Sequence, residues 1–303
     1  IMTNASGFAD AGAEGEARQA ELVALARSHG MVLCGPNNSG FINLWDRFCP
    51  STFYDMPVEG PGPVAVVSQS GSISAALSQD DRGLGIGFNI TTRTEAVLGL
   101  ADYVGHVVED SRITTVMCFV EVLREPDRFA AAVGRARELG KSVIVTKVGR
   151  SEGGRAAAAA HSGALVGDAA LYDAFFDKLG VIRAADLDEM IEIAKICKYD
   201  CPVRADGVVV VTMSGGEAGL ISDVSAEVGL PLMPIDDATI AALKPDLSPY
   251  LKPRNPLDSM GLGWDIERFA RIMQTLAADR RIGTVAISSD ASGSGVGDQL
   301  MVT

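Results

Sequence analysis

His161 is one of three histidines in a chain of 303 residues; the others are His29 and His106. It stands in a run of small residues: Gly153-Gly154-Arg155, then Ala156 to Ala160, then His161-Ser162-Gly163-Ala164-Leu165. An imidazole ionises near neutral pH, and its nitrogen can act as a nucleophile. A segment this rich in glycine and alanine lacks the bulky apolar side chains that would fix it in a core, so it can carry a side chain between two places. The competing reading is an exposed loop histidine, or one on an alanine-rich helix.

Two strand-to-helix turns offer anion chemistry. One is Val67-Ser68-Gln69-Ser70-Gly71-Ser72; the other is Thr212-Met213-Ser214-Gly215-Gly216. Where an apolar strand runs through small residues into a helix, free backbone N–H groups and the positive helix end converge on one point. Hydroxyls add donors. Ser68, Ser70, Gly71 and Ser72 in the first turn, and Ser214, Gly215 and Gly216 in the second, are therefore candidate phosphate ligands. Small residues also occur at such turns merely to let helix and strand pack. Glu121 ends the apolar strand that begins at Ile113, so it belongs at the carboxyl edge where ligands bind in open α/β sheets. A carboxylate there can orient an imidazole and stabilise its cation. The alternative is a solvated glutamate.

Positioning these residues requires an alternating strand–helix chain. Glu14 to His29 reads as an amphipathic helix with Leu22, Val23, Leu25 and Ala26 inward, and Met31 to Cys34 as a short strand. After the Pro- and Gly-rich connector Pro57 to Pro63 come strands at Val64–Val67, Ile113–Val120, Ser142–Thr146 and Gly180–Arg183. Helices lie between and after them at Ile73–Gln79, Pro126–Leu139, Asp168–Leu179 and Leu187–Cys197. A second connector, Tyr199 to Asp206, precedes a strand at Gly207–Thr212, a helix at Ala218–Val228, a strand at Leu232–Ile235, a helix at Asp237–Leu243 and a strand at Thr284–Ser288. Strands apolar throughout and alternating with helices indicate parallel sheets covered on both faces. The expected fold is α/β: the tail of one domain over 1–60, then two doubly wound domains over 61–203 and 204–303.

Composition excludes several classes. Lys and Arg total 26 against 39 Asp and Glu, a net charge of −13, which opposes a nucleic-acid surface. No apolar run approaches a membrane span, and Ile1-Met2-Thr3-Asn4 is no signal peptide. That opening reads as the middle of a strand, with more chain expected upstream. Five cysteines without a CxxC pair suit structural thiols in a cytoplasmic protein and give no metal site. Gly83-Leu84-Gly85-Ile86-Gly87 follows a helix rather than a strand, so it fails as a dinucleotide fingerprint; Gly293 to Gly297 is followed by no helix. Asp80-Asp81 and Asp236-Asp237 read as solvated turn or cap residues.

Taken in order, these segments resemble the nucleoside-diphosphate-forming acyl-CoA synthetases, relatives of succinyl-CoA synthetase, in their alpha-type region. Ser6 to Gly12 and Gly35-Pro36-Asn37 are similar to the end of that family's CoA-binding domain, and Val64 to Gly71 to the start of its second domain. Glu121 matches its strand-end glutamate, and Ala160 to Leu165 the loop whose histidine is phosphorylated. Ser214-Gly215-Gly216 and Asn255-Pro256-Leu257-Asp258 are similar to its third domain.

The resemblance implies the end of a Rossmann-like CoA-binding domain (1–60), a flavodoxin-like phosphohistidine domain (61–203) and a second flavodoxin-like domain (204–303). It implies a ligase that interconverts acyl-CoA, phosphate and ADP with acid, CoA and ATP through an acyl phosphate and a phosphohistidine. His161 then carries the phosphoryl group, Glu121 pairs with its imidazole, the two turns hold the anion, and Ser6, Gly7, Phe8 and Asn37 contact CoA. Nucleotide and Mg2+ belong to an ATP-grasp domain or subunit outside this chain, and a homo-oligomer stays open. Departures occur at Arg93-Thr94, where the family commonly has Gly-Asn, at Val97 in place of Asp, and at Asn38-Ser39. Arg93, Asn38 and Phe41 are candidates for the surroundings of the acid. The alternative is a catalytically inactive CoA-binding regulatory module of a protein acetyltransferase.

Overall fold

The structure, a computed structural model, describes residues 1–52, 60–154, 156, 169–199, 203, 205–263 and 265–289. The chain divides into two compact units, Ile1–Asp200 and Cys201–Thr303.

The first unit is built on strands β1 (Phe41–Asn43), β2 (Val64–Ser68), β3 (Ile86–Thr91), β4 (Thr115–Val120), β5 (Ser142–Lys147) and β6 (Ile182–Arg183). Their order across the sheet is β1-β3-β2-β4-β5-β6, parallel except for β1 at the edge. Every residue of β2, β3 and β4 is buried. Successive side chains point to opposite faces, and both faces are covered. Ala65, Val67, Val116 and Cys118 pack with α3 (Leu100–Glu109), α4 (Pro126–Glu138) and α5 (Ala169–Leu179). Val64, Val66, Met117 and Ile144 pack with α2 (Gly71–Ser78) and α6 (Leu187–Cys197). Burial on both sides is why these strands read as unbroken apolar runs.

The chain leaves β2 for β3 on one side and returns to β4 on the other. Such a reversal opens a crevice at the carboxyl ends of the two diverging strands. It places the Ser68–Ser72 turn beside the end of β4, where the Gln69 amide donates to the Phe119 carbonyl at 3.1 Å.

Ile86–Thr91 reads as the end of a glycine-rich loop in the sequence and is strand β3. Its glycine is a packing requirement: a Cβ on Gly87 would lie 2.4 Å from both the Gly62 carbonyl oxygen and the Trp45 indole nitrogen. Helix α3, also absent from the expected elements, buries Leu100, Tyr103, Val104, Val107 and Val108 along one face. The expected strand at Met31–Cys34 is a single parallel bridge between Cys34 and Met2. In α1 (Ala13–Ser28) Leu22 and Val23 are half-buried and Ala26 is buried, but Leu25 is exposed rather than inward.

In the second unit β7 (Gly207–Thr212) lies between β8 (Leu257–Asp258) and β9 (Ile282–Ser288), all parallel. Helices α7 (Gly215–Glu227), α8 (Asp237–Leu243) and α9 (Ile266–Ala278) accompany them. Val209, Val211, Leu243, Phe269, Ile272 and Leu276 form the core. Asp236 caps α8 by accepting from the Thr239 amide at 2.7 Å. The expected strand at Leu232–Ile235 is one bridge from Leu232 to Val208. Asn255 ties this corner together: its Nδ2 donates to the Val208 and Met233 carbonyls at 2.7 and 2.8 Å, and its Oδ1 accepts from Val210 at 2.9 Å.

Candidate functional site

The N-terminus of α2 opens on a cavity of about 420 Å³. Ser70, Gly71 and Ser72 line it together with Asn37, Asn38 and Arg93. Ser70 is the N-cap; its hydroxyl accepts from the Ile73 amide at 3.5 Å and lies 3.2 Å from the Ser72 hydroxyl. The amides of Gly71 and Ser72, the first two of the helix, have no intrahelical acceptor to reach. Ser68 points away. It is fully buried, and its hydroxyl donates to the Ser70 carbonyl at 2.7 Å while accepting from the Ser70 amide at 3.1 Å. Of the four residues predicted in this turn, three face the cavity and Ser68 shapes the turn behind them.

Two further features mark this cavity. Arg93 adopts φ 49°, a left-handed conformation that crowds an L side chain. Asn38 is buried, with Nδ2 donating to the Cys34 sulfur at 2.9 Å and to the Thr91 carbonyl at 3.4 Å, while Oδ1 has no partner. An unsatisfied buried acceptor costs about 1–3 kcal/mol, which a neighbouring donor repays. Phe41 lies elsewhere, in an apolar cavity of about 510 Å³ with Phe48, Phe88 and Tyr103.

Glu121 is buried just past the end of β4, as its place in the strand predicts. Its amide donates to Gln69 Oε1 at 2.6 Å, and its carbonyl accepts from Lys147 Nζ at 2.7 Å. Gln69 is the residue immediately before the cavity-lining Ser70. Its Nε2 reaches Glu95, whose carboxylate also accepts from the Thr92 hydroxyl and the Leu100 amide and lies 3.7 Å from Arg124. Burial pushes the Glu95 carboxyl above its usual range. Burial also lowers the Lys147 ammonium to about 8, despite the attraction of Glu121. Gln69 and Lys147 escape a reading of the sequence because the Glu121 groups they meet lie 52 and 26 residues away; a polar residue after an apolar strand is the local sign.

His161 lies outside the described residues, as do Arg155, Ala157 to Asp168 and the Gly293–Gly297 run. The loop toward His161 is described from Gly149, at φ 81°, to Gly154.

The second turn is built differently. Ser214 caps α7, accepting from the Gly216 and Glu217 amides at 3.2 and 3.5 Å. Glu217 is held by the Thr212 and Ser288 hydroxyls, and Asp258 lies close enough that a Cβ on Gly215 would sit 3.6 Å from its carboxylate. Two carboxylates thus flank this helix end, whereas a guanidinium flanks the first. Within the tail, Asn37 lines the cavity but the Ser6-Gly7-Phe8 turn does not: the Gly7 and Phe8 amides donate to Asp10 at 3.1 and 2.9 Å.

A doubly wound parallel sheet with helices on both faces and a crevice at its reversal is a flavodoxin-like arrangement. Residues 61–197 match the succinyl-CoA ligase like flavodoxin domain. The chain is a homologue of the ADP-forming CoA ligases and corresponds to their alpha-type region. It is 35% identical over 306 residues to a trans-feruloyl-CoA synthase from an unknown prokaryotic organism, covering 98% of this chain and 43% of that protein. To subunit alpha of the ADP-forming acetate–CoA ligase II of Pyrococcus furiosus it is 31% identical over 277 residues, covering 90% of this chain and 60% of that one. The fold is shared with the dinucleotide forming acetyl-coenzyme A synthetase 1 of Ca. Korarchaeum cryptofilum in complex with phosphate and ADP. That match has a TM-score of 0.86 at 24% identity over 99% of this chain and 66% of that chain. The chain therefore spans about half the length of the curated relatives it matches. Among the described residues no helix is long and apolar enough to cross a membrane.

Proposed function

We propose that this chain is the phosphohistidine-bearing part of an acyl-CoA ligase that forms a nucleoside diphosphate. The observation that carries the reading is the cavity at the α2 N-terminus, lined by Ser70, whose chain neighbour Gln69 accepts from the Glu121 amide. In the ATP-forming direction a phosphate oxygen attacks the thioester carbonyl of acyl-CoA. The C–S bond breaks, CoA leaves as thiolate and takes a proton, and an acyl phosphate remains. The His161 imidazole then attacks phosphorus, the P–O bond to the acyl group breaks, and the free carboxylate departs. The phosphoryl group finally passes to a nucleoside diphosphate on an ATP-grasp domain or subunit, which also holds the Mg2+.

The residues of this chain supply the electrostatics. The Gly71 and Ser72 amides, the Ser70 and Ser72 hydroxyls and the positive end of α2 stabilise the phosphoryl oxygens. Arg93, which also lines the cavity, adds a full positive charge for the phosphate or the acid carboxylate. Glu121 pairs with the imidazole and stabilises it once phosphorylated. CoA supplies the thiol. On this chain Asn4, Asn37, Asn38, Ser39 and Thr52 of the tail line the cavity, whereas the Gly7 and Phe8 amides are engaged by Asp10. The acid is larger than acetate on this reading: a cavity of about 420 Å³ has room beyond a two-carbon acid and a phosphate, and one relative is named for feruloyl-CoA.

The test supplies the chain with its ATP-grasp partner and ATP radiolabelled at the γ-phosphate. Label appears on the chain, is lost in acid and survives alkali, and disappears in His161→Ala. Label retained in that variant sinks the assignment, and no label on the unaltered chain is the result expected of a regulatory module instead.

A further inference from the structure

We infer that Gln69 and Lys147 are positioning residues, which together fix the main chain of Glu121 so that its carboxylate is set for the histidine. The inference rests on the phosphohistidine reading above. Glu121 is the first residue beyond β4 and has lost the neighbours that satisfy a strand's backbone groups. Two buried side chains replace them. Gln69 comes from the end of β2 and is 3% exposed; Lys147 is the last residue of β5 and is 8% exposed. One takes the Glu121 N–H and the other meets its C=O, from the two strands that flank β4.

The Gln69 amide has no freedom to turn. Its Oε1 accepts from Glu121 at 2.6 Å and Val122 at 2.9 Å, and its Nε2 donates to the Val122 carbonyl and to Glu95, both at 2.7 Å. Both N–H donors and both acceptor sites are used, and exchanging oxygen and nitrogen would set donor against donor. Lys147 is held as firmly: Nζ donates to the Glu121 and Val148 carbonyls and lies 4.6 Å from the centre of the Tyr172 ring. Val148 begins the loop that leads to His161, so one ammonium joins the base of that loop to the backbone of Glu121. Capping two carbonyls does not call for a charge, and burying an ammonium is expensive. The two carbonyls it joins and the attraction of Glu121 hold the ammonium there.

The experiment measures single-turnover transfer of the γ-phosphoryl label from ATP, through the ATP-grasp partner, to this chain. The variants are Gln69→Met and Lys147→Met, both nearly isosteric and placed on different strands. Each is made alone and in a Glu121→Gln background. Each slows transfer by roughly tenfold or more when Glu121 is present, as misplacement of a working group does. In the Glu121→Gln background the further loss is within about twofold, because a positioned group that is absent has nothing left to position. Equal losses in both backgrounds overturn the inference by showing general damage, and so does unchanged transfer in both single variants. Label that survives His161→Ala overturns the underlying reading instead, whatever Gln69 and Lys147 do.

Discussion

Arg93 stands at φ 49°, a backbone conformation that favours glycine, so its replacement separates a backbone effect from a charge effect. Arg93→Gly and Arg93→Ala both remove the guanidinium and every contact it makes. They differ in one Cβ. The left-handed conformation costs an L residue about 1–2 kcal/mol, and glycine gives back about 0.5–1 kcal/mol through its freer unfolded chain. The glycine variant is therefore more stable than the alanine variant by about 1 kcal/mol, a difference of roughly 2–4 °C in melting temperature for a unit this size. Thermal unfolding followed by circular dichroism reads it. Binding moves differently: both variants lose affinity for inorganic phosphate by roughly tenfold or more, the worth of a charge-assisted hydrogen bond. Strain that persists at a ligand-facing position is expected to serve the ligand. An alanine variant as stable as the glycine variant would refute the strain, and unaltered phosphate affinity in both would refute the role of the charge.

Lys147 carries a pH dependence of defined sign. Its ammonium is lowered from the usual 10.5 to about 8, so between those values the unfolded chain binds a proton that the folded chain releases, and stability rises with pH. The rise amounts to at most roughly 3 kcal/mol. Comparing urea unfolding of the unaltered chain and Lys147→Met at pH 7.5 and pH 10 isolates it; a rise of the same size in the variant would show that other groups cause it. In the second unit, Asn255→Ala removes three hydrogen bonds that join Val208, Val210 and Met233. A loss of about 2–3 kcal/mol is expected, together with faster hydrogen exchange at the Val210 amide, and exchange at the original rate would count against Asn255 as the tie.

The parts legible in the sequence are those whose cause is local. β2 and β4 are legible because burial on both faces goes with apolar runs, Val64–Val67 in one and Val116–Val120 in the other. The turn at Ser70 to Ser72 is legible because a strand, small residues and a helix follow one another directly. Which serine serves is a different matter. Ser68 and Ser70 have the same side chain two positions apart, yet Ser68 is closed into a bond with the Ser70 backbone while Ser70 faces the cavity. β3 is hidden because Gly85 and Gly87 weaken the strand pattern for reasons held elsewhere, in Gly62 and Trp45. Gln69 and Lys147 are hidden for the same reason: the backbone groups they satisfy lie 52 and 26 residues away.

The segment after β3 explains how the two halves of the site can vary apart. Thr91 and Arg93 face the cavity, whereas Thr92 and Glu95 turn to the buried amide of Gln69. Five residues therefore touch both the side that would receive the acid and the side that would hold Glu121. Of the departures noted in the sequence, Arg93 is the one in this segment that lines the cavity. Glu95 keeps its carboxylate, buried and bound by three donors, on the side that steadies Gln69. A change at Arg93 alters the charge and shape offered to a ligand without disturbing that carboxylate. A change at Glu95 releases one end of the Gln69 amide, and through it the backbone of Glu121. On the proposed function, substrate choice and phosphoryl chemistry fall to neighbouring residues of one loop, held separate by which way each side chain turns.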